Sequence, residues 1–267
     1  MANDADMGAG AAEFSVLRDQ FGVDYEAVGE GKSSLTAHVK GMGSTDGHTL
    51  VWLKGPTKIS GSTDGKINML IVLRGASFGW TNAGGSQPNL DKMSHDLAAT
   101  GYDVLLPECG GGIEMQAVMS WLQAQLGTET APWNRLVVLA CAAGGDSFVQ
   151  WVKKAPPLYM RVDGLISMAA AGIDDLADKD NTFTCFTPSA DNVVLVRGEH
   201  EPMGSVIPGY EKFVRAHPGS EVNIVKSHGE EKWNRAGHAP HASGNDLVRE
   251  GAREYFTKAL QRFAALP

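Results

Sequence analysis

Three runs of this sequence carry side chains able to do covalent or proton-transfer chemistry. His238 lies in Asn234-Arg-Ala-Gly-His-Ala-Pro-His241, Glu201 in Arg197-Gly-Glu-His-Glu-Pro202, and Cys141 in Ala140-Cys-Ala-Ala-Gly-Gly145. An imidazole exchanges protons near neutral pH, a carboxylate can orient such a ring and stabilise its charged form, and a thiol can attack a carbonyl. Singly, each has a plain structural explanation. A Gly-His pair in a loop is common, and a glutamate before proline reads as a solvated loop carboxylate. What gives the runs weight is their placing, each just after a stretch that reads as a strand.

The elements that must position them centre on residues 135–146. Leu136 to Leu139 form a continuous apolar run, as expected of a parallel strand covered on both faces. From Asp146 onward, Phe148, Val149 and Val152 recur on one helical face, and Pro156-Pro157 close the helix. Only small residues lie between, so the strand can turn sharply into a helix packed tightly against it.

This strand–turn–helix resembles the α/β-hydrolases, whose nucleophile elbow runs small-x-nucleophile-x-small-small. Ala140 takes the first small position, and Gly144 and Gly145 the last two. The nucleophile position therefore falls on Ala142, where the family usually carries serine. The resemblance implies a triad in the order nucleophile, acid, base, with Glu201 as acid and His238 as base. Glu199 or Asp174 are the alternatives for the acid, and His241 for the base. It also implies an oxyanion hole from the N–H of Ala143 and from the loop Leu73-Arg-Gly-Ala-Ser-Phe-Gly-Trp80, with Ala76 the preferred donor and Ser77 next. Arg74 stands where the family usually has histidine. Trp80, Met203 and Trp233 could wall a substrate pocket, near Cys109-Gly-Gly-Gly112; plain packing is the competing explanation. Cys141 would resemble the nucleophile of dienelactone hydrolases, but it falls one residue early. No metal or organic cofactor is implied, and the expected partner is a small-molecule ester, lactone or thioester.

An alanine methyl cannot attack a carbonyl. Two expectations follow. Either serine belongs at 142 and this chain is an inactivated variant, or the alanine is native and the chain is a hydrolase-like module that binds a small molecule.

Alternating strands and helices beyond Asn68 predict a mostly parallel sheet with helices on both faces. Strands are expected at Met69–Leu73, Tyr102–Leu106, Leu136–Leu139, Leu165–Met168, Val193–Val196 and Val222–Val225. Helices are marked by Leu90, Met93 and Leu97, by Ala117 to Leu122, by Tyr210, Phe213 and Val214, and by Val248 to Phe263 behind Asn245. Gly-Ser-Thr-Asp-Gly occurs at 43–47 and 61–65, a hairpin signal. It predicts an antiparallel opening from Leu35–Met42, Thr49–Gly55 and Lys66–Arg74. Phe14 to Val28 reads as a short helix or an irregular cap. Only Gly172 to Asn192 separates two successive strands where many α/β-hydrolases insert a lid, so no large lid is expected.

With 267 residues, 43% of them hydrophobic, the chain can bury one large core. Residues 1–12 are expected to fray, and 13–267 to form one domain. The net charge of −8 argues against a nucleic-acid binder. No apolar run approaches a membrane span. The acidic N-terminus lacks a secretory pattern, and three widely spaced cysteines read as thiols in a reducing compartment, so a cytoplasmic protein is expected. The sequence leaves the oligomeric state open.

Overall fold

In the computed structural model the described residues are 24–27, 33–39, 48–53, 67–73, 102–108, 115, 119, 133–228, 240 and 246–266. Among these residues, nine strands form one sheet: β1 (Asp24–Ala27), β2 (Ser33–Val39), β3 (His48–Leu53), β4 (Ile67–Leu73), β5 (Tyr102–Glu108), β6 (Trp133–Cys141), β7 (Gly164–Met168), β8 (Val193–Gly198) and β9 (Val222–Val225). Their spatial order is β1-β2-β3-β5-β4-β6-β7-β8-β9. The six from β5 to β9 across this order run parallel. The first three pair antiparallel, and β3 pairs antiparallel with β5.

Two expectations need correction here. Residues 66–74 were expected to continue the antiparallel opening, but β4 pairs in parallel with β5 and β6, and β3 lies beside β5 instead. The physical reason is burial. Met69 to Leu73 are at most 1% exposed, which suits a central strand covered on both faces rather than a hairpin arm. Within 14–28, residues Asp24–Ala27 form an edge strand on β2, not a helix.

Among the described residues the α-helices of four residues or more are α1 (Gly144–Lys153), α2 (Ile173–Leu176), α3 (Val206–Ala216) and α4 (Asp246–Ala264). Side chains alternate across each strand and build two cores. On one face Leu136, Val138 and Ala140 pack with Phe148, Val149 and Val152 of α1, Ile173 of α2 and Tyr210 and Phe213 of α3. On the other, Val137, Leu139 and Cys141 pack with Val248, Ala252, Phe256, Leu260 and Phe263 of α4. Each fully buried Leu, Val or Phe contributes about 1.5–3 kcal/mol, so the central strands are the most strongly held part of the sheet. Between β7 and β8 lie only α2 and turns, with no lid domain. The predicted helices at 90–97 and 117–122 lie outside the described residues, although Met115 and Met119 are helical and buried on the α1 face.

The connections from β4 and β6 diverge. The chain passes from β4 to β5 on one side, and from β6 to β7 on the other. Ligands of open α/β sheets bind beyond the carboxyl ends at such a switch point. Leu73 and Ala140, near the ends of these two strands, are register partners.

Candidate active site

The sharpest local feature of the switch point is Ala142. It joins β6 to α1 with φ of +48°, in the left-handed region. For a residue with a Cβ this costs about 1–2 kcal/mol. Such strain is stored where the surroundings over-determine the backbone. The Ala142 N–H donates to the Met168 carbonyl at 3.3 Å, and its carbonyl accepts from Gly145 N–H at 3.1 Å and Ala171 N–H at 2.9 Å. Ala142 is thus the strained residue of a sharp strand-to-helix turn at the carboxyl end of β6. Ala142 is half-buried there.

The two glycines that follow are needed for close approach. A Cβ on Gly144 would stand 2.5 Å from the Leu73 carbonyl oxygen, and one on Gly145 would stand 2.2 Å from the Ala171 carbonyl oxygen. Both obstacles are backbone, so neither can swing aside. Gly145→Ala is therefore expected to destabilise the fold by about 2–3 kcal/mol, within the range for overpacking. The melting temperature should fall by roughly 5–10 °C. A melting temperature within a degree of the parent would contradict this packing.

Ala143 is the N-cap of α1, with φ of −63° and ψ of −14°. Its amide lies at the end of the helix where aligned peptide dipoles favour negative charge. Cys141 is the last residue of β6 and is 2% exposed, in the core against α4. The alternation of the strand thus turns its thiol away from the face that carries α1.

Glu201 follows β8 at the carboxyl end of the sheet and is 8% exposed. Its Oε1 accepts the Met203 N–H at 2.9 Å. Met203 itself is 46% exposed. Glu199, the alternative acid, is engaged elsewhere. Its Oε1 accepts from Lys226 Nζ at 3.0 Å, and its Oε2 from Ser227 N–H at 3.1 Å and Ser227 Oγ at 3.0 Å. The lysine hydrogen bond, followed by those from Ser227, holds its pKa down at about 2. Asp174, the other alternative, lies in the first turn of α2.

The Glu199 cluster has a pH consequence. Its folded pKa lies below the ordinary 4.5, so its stabilisation is whole above that value and is lost as pH falls toward about 2. The cluster is solvent-screened, so the effect is small. Melting curves of the parent and Glu199→Gln should separate at pH 6 and converge as pH drops to about 2. A separation independent of pH would contradict the ionic origin.

The structure brings Ala142, Ala143, the carboxyl end of β4 and the segment after β7 to one place. His238, His241, Trp233, Ala76, Ser77, Trp80 and Cys109 to Gly112 lie outside the described residues. In the sequence Tyr210 serves only to mark its helix, with Phe213 and Val214. Its phenol oxygen is bonded to Ser167 and Ala170, and no hydrophobic periodicity signals that. Among the described residues, no cluster of His, Cys, Asp or Glu is arranged to hold a metal ion, and no helix is long and apolar enough to cross a membrane.

No family model and no curated protein matches this chain in sequence. Solved structures do match in fold. An S-formylglutathione hydrolase from Agrobacterium tumefaciens is 11% identical, with 90% of this chain and 99% of that one covered at a TM-score of 0.53. Brefeldin A esterase, described as a bacterial homologue of human hormone-sensitive lipase, is 15% identical, with 98% and 86% covered and a TM-score of 0.54. A serine hydrolase without a lid from Xanthomonas campestris is 12% identical, with 91% and 100% covered and a TM-score of 0.50. At these identities the likeness is one of architecture. With its parallel sheet, helices on both faces and strained turn after β6, the chain has the α/β-hydrolase fold.

Proposed function

We propose that this chain is the framework of a serine-type acyl hydrolase acting on an ester, lactone or thioester, with alanine at its nucleophile position. The observation that carries this is the positive φ of Ala142 at the turn between β6 and α1. A strained backbone at that point has a use when the side chain must be presented to a substrate. Two further features support the reading. Glu201 is a buried carboxylate at the carboxyl end of β8, in the order expected for the acid. His238 comes after β9 in sequence, as expected for the base.

With serine at 142, the scheme is two-step acyl transfer. His238 takes the hydroxyl proton as the oxygen attacks the carbonyl, and Glu201 orients the imidazole and stabilises its charged form. The N–H groups of Ala143 and Ala76, or of Ser77, receive the developing oxyanion. His238 then protonates the leaving group, and water releases the acyl group by the same route. Trp80, Met203 and Trp233 are the proposed pocket wall. The structural neighbours include an S-formylglutathione hydrolase, an esterase and a serine hydrolase, which favours this chemistry over others on the same fold.

Alanine at 142 removes the attacking oxygen while leaving the rest of the turn in place, as an inactivating serine replacement would. The assay is hydrolysis of p-nitrophenyl esters by Ala142→Ser. A gain over the parent chain supports the reading. No gain, together with submicromolar binding of a small molecule, would instead favour a non-catalytic hydrolase-like binding protein, the second reading that Ala142 itself permits.

A further inference from the structure

Tyr210, on α3, is 1% exposed and has no part in the acyl-transfer scheme. Its phenol oxygen nevertheless reaches the carboxyl ends of β7 and β8 and the segment after β7, which is bonded to residue 142. It lies 2.7 Å from Ser167 Oγ and accepts the Ala170 N–H at 3.1 Å. It donates to the Ser167 carbonyl at 2.9 Å, with the Val196 carbonyl at 3.3 Å. A phenol has one proton and two lone pairs. The two carbonyls share the proton, and the Ala170 N–H and Ser167 hydroxyl occupy the lone pairs. Burial, with the Glu201 charge adding to it, pushes the phenol pKa well above its ordinary value, so the proton stays in place.

These bonds tie the ends of β7 and β8 to the segment Ala169–Gly172. That segment begins and ends in the left-handed region, at φ of +47° for Ala169 and +76° for Gly172. Its next residue, Ala171, donates its N–H to the Ala142 carbonyl at 2.9 Å. The Ala171 carbonyl is also the backbone atom against which Gly145 packs. The phenol therefore holds Ala170, and the adjoining peptide holds residue 142.

We infer that Tyr210 is a positioning residue: its hydroxyl, acting through Ala169–Gly172, fixes the left-handed backbone of residue 142 and so the direction of that side chain. The link to turnover rests on the acyl-hydrolase reading, whereas the link to the backbone does not. Phenylalanine at 210 keeps the ring in the core but leaves the Ala170 N–H and the Ser167 hydroxyl without their acceptor.

The test begins with residue-resolved amide hydrogen exchange on the chain as it stands and on Tyr210→Phe. Exchange at Ala170 and Ala171 should speed up about 10-fold or more, while Leu139 and Ile166 in the central strands stay unchanged. Unchanged protection at Ala171 overturns the inference, as does a uniform loss across the sheet. Should Tyr210→Phe fail to fold, fluorotyrosine in place of tyrosine keeps the ring and hydroxyl but weakens the oxygen as an acceptor, and must give a smaller loss of the same selectivity at Ala170 and Ala171. Its absence counts against the inference in the same way. In an Ala142→Ser background, Tyr210→Phe should lower kcat about 10- to 100-fold with KM within about twofold, because a misaimed nucleophile impairs chemistry more than binding. A rise in KM at constant kcat would overturn the positioning role. If Ala142→Ser is itself inactive, the hydrolase reading fails, and the exchange measurement still decides the role of Tyr210.

Discussion

Serine introduced at position 142 should raise hydrolysis of p-nitrophenyl acetate by at least about 10³-fold over the parent chain. The expectation follows from how a triad works. Its members act as a unit, and loss of the nucleophile alone removes nearly all of the covalent route, a factor of about 10⁶ where it has been measured on a serine protease. A small activated ester is not the natural substrate, so the gain on it should be smaller than that factor. The fold should accept the change easily. Serine and alanine share the Cβ that position 142 already carries at φ of +48°. The left-handed cost is then nearly the same in both, and the melting temperature should move by no more than about 2 °C. Steady-state rates on the purified variant, with the parent chain as blank, measure this. A rate equal to the parent's, from a protein that melts normally, contradicts the account.

The second large effect concerns the base and the acid on that serine background. His238→Ala should remove about 10³-fold or more of the gained activity. Glu201→Gln should cost a comparable factor, since an uncharged side chain can no longer stabilise the imidazolium. The double variant should be little worse than either single one, because an incomplete triad has little left to lose. Burial makes the second substitution informative. Glu201 is 8% exposed and is held by the Met203 N–H, so glutamine can keep the shape and one acceptor while removing the charge. Independent factors that multiply in the double variant would mean the two residues do not act together.

The central strand, its helix and the turn between them were legible because their signals are local. Leu136 to Leu139 announce a strand covered on both faces, and Gly144 and Gly145 announce a close approach. The structure names the obstacles, the carbonyls of Leu73 and Ala171. The strand at 193–198 and the helix over 206–216 were legible for the same reason. The place of β4 was not. A Gly-Ser-Thr-Asp-Gly turn at 61–65 argues for local antiparallel pairing, but the buried run Met69–Leu73 is satisfied only between two parallel neighbours far off in sequence. Long-range pairing overrides turn chemistry there. Asp24–Ala27 was missed because four residues at a sheet edge carry too short a pattern to read. Tyr210 marks its helix in the sequence, and nothing there announces the bonds of its hydroxyl. Helical periodicity reports which face is buried and says nothing about which polar atoms meet there.

The central claim is that residue 142 is the position at which this fold presents a nucleophile to the base. Its most direct test is to treat Ala142→Ser with a fluorophosphonate and map the adduct by peptide mass spectrometry. The account predicts stoichiometric phosphonylation of serine 142, slowed at least about 10²-fold by His238→Ala and absent from the parent chain. A folded Ala142→Ser protein that takes no label at that residue, or takes it equally well without His238, would contradict it.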